Sequence, residues 1–158
     1  MTQSKNNHMS CTRPNSWHGK NYTHHSQLSD EEFVEAFEKA SLHPKLFNHE
    51  AHIRLAWVYL QKYGEEKAVE KTCAGIAHFD AIYGNGDKFH ATITVAAVKA
   101  VHHFNKKSKS TNFFDFMEAF PRLKTAFKEL LEQHYTPEVL THEKAKTDYI
   151  PPDLLPFD

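Results

Sequence analysis

NHEAHIRLAWVYLQKYG, residues 48–64, places Ile53, Ala56, Trp57, Leu60 and Tyr63 three and four positions apart. That spacing lines one face of an α-helix and rules out a strand, whose faces alternate every second residue. Asn48 is a helix-capping residue type, and Gly64 stands where a glycine ends a helix, so the segment is bounded as well as periodic.

The same period continues outward in both directions. Upstream, Ser29 followed by Glu32 forms a capping box opening a helix through about Leu42, with Phe33, Phe37 and Ala40 inward, and His43-Pro44 closes it. Downstream, a helix from Glu65 to Tyr83 carries Val69, Cys73, Ile76 and Phe79, and Gly84-Asn85-Gly86 stops it. Asp87 is the expected cap of a further helix to about Phe104, striped by Thr94, Ala97, Val98 and Val101. After a polar loop over 105–111 come a Phe-rich segment, Phe113 to Phe120, and a helix from Arg122 to His134 burying Leu123, Phe127, Leu130 and Leu131. Thr136-Pro137-Glu138 can start one more turn, and Ile150 to Leu154 has too many prolines to be helical. The expectation is an all-α chain: one helical bundle of five to six helices over 29–158, with an extended Pro-rich C-terminal strap.

Residues 1–28 are rich in Asn, Ser, Thr and His and have no periodicity. Such a composition buries too little apolar surface to offset its ordering entropy, so a disordered polar tail is expected there. His8, His18, His24 and His25 lie in it and could sequester metal, but a polar arm is the plainer reading, and the segment is left out of the expected site.

The 158 residues are 40% hydrophobic and 25% charged, ordinary for a globular domain, with a net charge of −1. A near-neutral chain lacks the clustered positive field that nucleic-acid binding needs. No apolar run approaches the roughly 20 residues of a membrane span. Two cysteines, Cys11 and Cys73, build no disulfide framework and suit a reducing, cytoplasmic setting. The unusual number is 13 histidines.

Several of these histidines prolong the apolar stripes. His49 and His52 extend the Ile53–Leu60 face toward its N-terminus, His90 extends the Thr94–Val101 face, and His134 ends the Leu123–Leu130 face. Very short links before and after the Glu65–Tyr83 helix make antiparallel neighbours, so the helices bearing His49/His52 and His90 are expected to start at the same end. Asp80 and Tyr83 should finish there, and His134 joins them if its helix runs antiparallel. Three convergent imidazoles suit a divalent transition metal, iron or zinc foremost, and leave a coordination position for water or substrate. The expected ligands are His49, His52 and His90, with His134 or Asp80 as helpers and Asp87 as an alternative carboxylate. Thr92 and Thr94 offer hydroxyls near His90, and Arg54 could meet a substrate carboxylate.

Phe47-Asn48-His49-Glu50-Ala51-His52-Ile53-Arg54-Leu55-Ala56-Trp57 and Lys88-Phe89-His90-Ala91-Thr92-Ile93-Thr94 also match a pattern. It resembles the F-x-H-x-x-H-x-R-x-A-W … K-[FY]-H-x-T-x-T motifs of an uncharacterised family of small bacterial α-helical proteins. His134-Tyr135 through Pro156 is similar to that family's H-Y-x-x-x-x-L … P-D-L-x-P close, and the resemblance spans residues 29–158. It implies a helical fold and no particular activity. Its motif residues here are His49, His52, His90, Thr92 and Thr94. Ala51 and Ala91 stand where the family often has acidic residues.

The first functional expectation is a metal-dependent enzyme acting on a small substrate with a carboxylate or phosphate, by hydrolysis or oxygen activation. The alternative is a non-catalytic small-molecule-binding or interaction domain whose histidines are satisfied in the core. A metal-free His/Asp acid–base pair is a third. Phe- and Trp-rich helices could equally build a homodimer face.

Overall fold

The computed structural model describes residues 17, 18 and 21–158. The remaining residues, His8 and Cys11 among them, lie outside the described ones. Among the described residues there are nine α-helices and no strand, so the all-α class holds. They are α1 (Asp30–Glu38), α2 (His49–Tyr63), α3 (Glu65–Tyr83), α4 (Ala91–Lys107), α5 (Phe113–Ala119), α6 (Arg122–Thr125), α7 (Phe127–Glu132), α8 (Pro137–Thr141) and α9 (Glu143–Thr147). They group into two compact units. One holds the described residues through Ala51 together with Ala74–Phe89, the other His52–Cys73 and His90–Asp158.

In the first unit the capping box forms as expected. Ser29 Oγ accepts from the Glu32 N–H at 3.1 Å, and Glu32 returns the bond to the Ser29 N–H at 3.0 Å. Three acids in the first turn complement the helix dipole. The helix ends earlier than periodicity suggests, because Ala40 takes a left-handed backbone (φ 56) and the Ser41 and Leu42 N–H groups both close on the Ala36 carbonyl. Phe37 packs on Phe47 and Phe79 with ring centroids 4.8 and 5.4 Å away. Gly75 makes room for it: a Cβ there would lie 2.7 Å from the Phe37 ring. Order also begins before Ser29. A 3-10 turn, His25–Gln27, precedes α1, and Leu28 is buried. The disordered polar tail expected through residue 28 does not hold where that segment is described: Trp17 also packs on His43 and Tyr83, and the His18 N–H donates to the Ser41 carbonyl at 2.8 Å.

In the second unit Trp57 of α2 packs against Phe113 and Phe116 of α5. Ala96, Leu131 and Tyr135 form a small core with Ile93, Phe127, Val139, Leu140 and Phe157 around it. The helix expected over Arg122–His134 is interrupted at Ala126 (φ −138, ψ 36), which separates α6 from α7. The C-terminal strap is extended as expected and is tied down by polar bonds. The fully buried Tyr135 donates its hydroxyl to the Ile150 carbonyl at 2.7 Å. Asp153 accepts from both the N–H and hydroxyl of Thr136, and Leu154 N–H donates to the His134 carbonyl at 3.0 Å. No helix among the described residues is long and apolar enough to cross a membrane.

Candidate metal centre

The site assembles from a segment the helical periodicity does not reach. His24, in extended conformation, caps the 3-10 turn: its Nδ1 accepts from the Ser26 N–H at 3.1 Å, and Gln27 Oε1 accepts from the His24 N–H at 3.0 Å. That turn, pinned by buried Leu28 behind it, sets His25 fully inside, with its ring 5.8 Å from Phe33 and stacked at 4.3 Å on His24. Glu50, in the first turn of α2, brings a nearly buried carboxylate to both rings. Its Oε1 lies 3.0 Å from His25 Nε2 and 3.3 Å from His24 Nε2. Among the described residues, His24, His25 and Glu50 are the one group of three metal-ligating side chains whose ligand atoms all lie within 4.8 Å of one another.

As it stands, this geometry is that of the cation-free state. Without a cation, both Nε2–H groups donate to Glu50, and His24 Nδ1 accepts from the Ser26 N–H. A cation would need Nε2 lone pairs, so the His24 proton would move to Nδ1 and the Ser26 N–H would give up its bond to that nitrogen. Ser26 Oγ stands 2.9 Å from that nitrogen and can accept it. The outer nitrogen of a ligating imidazole usually donates to a carboxylate, carbonyl or water oxygen, and the Ser26 hydroxyl would take that place here.

The two His–Glu50 separations suit hydrogen bonds and are also compatible with a coordination shell. Metal–ligand bonds of about 2.1 Å place adjacent ligand atoms about 3.0 Å apart at right angles and about 3.4 Å apart at the tetrahedral angle. The observed 3.0 and 3.3 Å fall in that span.

Among the residues singled out from sequence, His90, Asp80, Thr92 and His134 are engaged in other bonds. His90 is the N-cap of α4 and not a residue of its inward stripe. Its Nδ1 accepts from the Ile93 N–H at 3.1 Å, and its Nε2–H donates to the Leu140 carbonyl at 3.0 Å. Both nitrogens are thereby used, and no lone pair is left for a metal in this arrangement. Asp87 does not cap α4, for a reason found in Asp80. Asp80 Oδ2 accepts the N–H groups of Lys88 and Phe89 at 2.8 and 2.9 Å, which holds the chain between α3 and α4 out of helical form. Asp80 is thus a buried loop anchor.

Thr92, fully buried, donates its hydroxyl to the Asp148 carbonyl at 2.9 Å and accepts from the Ile150 N–H at 3.1 Å. It is a clamp on the strap. Thr94 is half-buried on the same helix. His134 donates from Nδ1 to the Leu155 carbonyl at 2.7 Å and stacks on Phe157 at 4.2 Å, again serving the strap. Arg54 is buried, as an inward-pointing residue should be, with its guanidinium 5.1 Å from the centre of the Phe114 ring. His49 is exposed at the start of α2 and His52 half-buried one turn on; neither belongs to the His24–His25–Glu50 group. Burial pushes the Cys73 thiol up to about 11, in keeping with a packing residue.

The missed residues carried only weak signals. His24-His25 is an adjacent pair in a stretch with no face to assign, and Glu50 appears in the sequence only as an unremarkable acid in the first turn of a helix. No family model, curated protein or solved structure matches the chain.

Proposed function

We propose that this chain is a helical metal-binding protein in which His24, His25 and Glu50 hold one divalent transition-metal ion, iron or zinc. The observation that carries this reading is the convergence of two imidazole Nε2 atoms on one carboxylate oxygen at coordination-shell spacing. Two histidines and one carboxylate are a donor set used by non-haem iron and by catalytic zinc. Three protein ligands leave room for water and for an oxygen of a small carboxylate- or phosphate-bearing substrate. That arrangement supports metal-dependent hydrolysis or oxygen activation. His24, partly exposed, marks the solvent side, and His25 the closed side.

The test is elemental analysis of the purified protein, with thermal shifts on adding and chelating metal. Near-stoichiometric iron or zinc is expected, lost in Glu50→Gln and His24→Ala and kept in His49→Ala. Glu50→Gln is nearly isosteric, so loss of metal without loss of helix content separates ligation from folding. A metal-free protein with no thermal response to iron or zinc defeats the proposal. So does metal that survives Glu50→Gln and His24→Ala.

A further inference from the structure

The second unit contains a cavity of about 490 Å³, well within the roughly 300–1,000 Å³ of small-molecule sites. Its walls are apolar: Phe104 of α4, Phe127, Leu130 and Leu131 of α7, and Phe157 of the strap. Two cations share the lining, Lys107 at the end of α4 and Arg122 at the start of α6. Neither makes an ion pair with a described residue, although the neighbouring Lys106 and His103 are both paired, at 3.5 and 2.7 Å, with Asp158. The cavity therefore couples a hydrophobic body to two uncommitted positive charges.

From this we infer that the cavity is a binding site for an amphipathic carboxylate, a molecule with one carboxylate head and an apolar tail. This site is separate in its residues from the His24–His25–Glu50 cluster and does not depend on that cluster holding a metal.

Each half of the ligand is dictated by a different part of the lining. The aromatic and leucine walls offer contact to methylene groups, a contribution that a fully polar anion held by the two cations alone would lack. The guanidinium of Arg122 presents a planar fork matched to a carboxylate, and Lys107 adds a second point charge. Asp158 belongs to the same lining, and its negative charge disfavours a dianionic phosphate relative to a single carboxylate. One wall is the strap itself. Leu155 is held by the His134 Nδ1–H, Phe157 by stacking on His134, and Asp158 by His103. A ligand against Phe157 thus completes packing that the strap begins.

The experiment uses the full chain and decanoate as the probe, with decanol and decylamine as tail-matched controls. Titration calorimetry measures affinity, and amide shift changes locate the site. Saturable decanoate binding is expected, with shifts on α4, α7 and residues 153–158. The double variant Lys107→Gln/Arg122→Gln, changed only at exposed positions, should weaken decanoate about tenfold and leave decanol unchanged. Ala100→Leu, which puts bulk into the cavity lining, should weaken both. Three results would each overturn the inference: no saturable binding by the folded protein, decanoate affinity equal to that of decanol or decylamine, or shift changes confined to other helices.

Discussion

Replacing Thr92 with valine should loosen the C-terminal strap without touching the candidate metal centre. Thr92 and valine have nearly the same shape, so the substitution removes a hydroxyl and little else. That hydroxyl is fully buried and makes two bonds, donating to the Asp148 carbonyl and accepting from the Ile150 N–H. Asp148 is exposed, so its carbonyl can turn to water; Ile150 is half-buried, and its N–H is the group left stranded. An unmet buried donor costs about 1–3 kcal/mol, which puts Thr92→Val at about 2 kcal/mol. For a chain of this length each kcal/mol moves Tm by about 2–4 °C, so a fall of about 4–8 °C is expected. Thr92→Ser keeps the hydroxyl and loses one buried methyl, a loss of about 1 kcal/mol. Hydrogen exchange separates the two causes. The Ile150 amide should lose protection in the valine variant and keep it in the serine variant. Wild-type melting in Thr92→Val, or Ile150 protection lost equally in both variants, would refute the clamp. Metal content, if present, should be the same in all three proteins.

Three further outcomes follow from the same geometry. Gly84→Ala should destabilise the chain by about 2 kcal/mol or more, since its Cβ would fall 2.2 Å from Asp80 Oδ1 and disturb the anchor of Lys88 and Phe89; urea unfolding measures this, and an unchanged midpoint would count against the anchor. Thr72→Val should be neutral or stabilising by about 1 kcal/mol, because the Thr72 hydroxyl is buried with no hydrogen-bond partner among the described residues; a clear loss of stability in thermal melts would contradict that. Acid should release the strap. The Thr136 hydroxyl, then its N–H, holds the Asp153 carboxyl below the usual carboxylate range, and His103 does the same for Asp158. A carboxyl lowered by folding contributes stability above its ordinary range and loses it as pH falls through the lowered value. Amide protection over 153–158, taken relative to the intrinsic exchange rate at each pH, should therefore fall below the usual carboxylate range, and Asp153→Asn should flatten the change; pH-independent protection would exclude these anchors.

The features legible in the sequence are those set by neighbours along the chain. The Ser29/Glu32 box, the Gly64 break between α2 and α3, and the start of α6 just after Pro121 all depend on backbone groups within a turn or so, and each stands where periodicity and capping place it. Inward-facing Phe33 and Phe37 were legible for the same reason, since a stripe of period 3.6 has only one buried side. Tertiary structure decided the rest. His90 can continue a stripe or cap its helix, and only the fold, through Asp80 holding Lys88 and Phe89 in a loop, selects the cap. The break at Ala126 leaves no mark in the apolar pattern on either side of it. His24 and His25 meet Glu50 across 25 and more residues of chain, in a segment whose polarity argued for disorder. Periodicity reports which face of a helix is buried. It carries no information on which side chains from separate segments share that interior, and a binding site is made of such meetings.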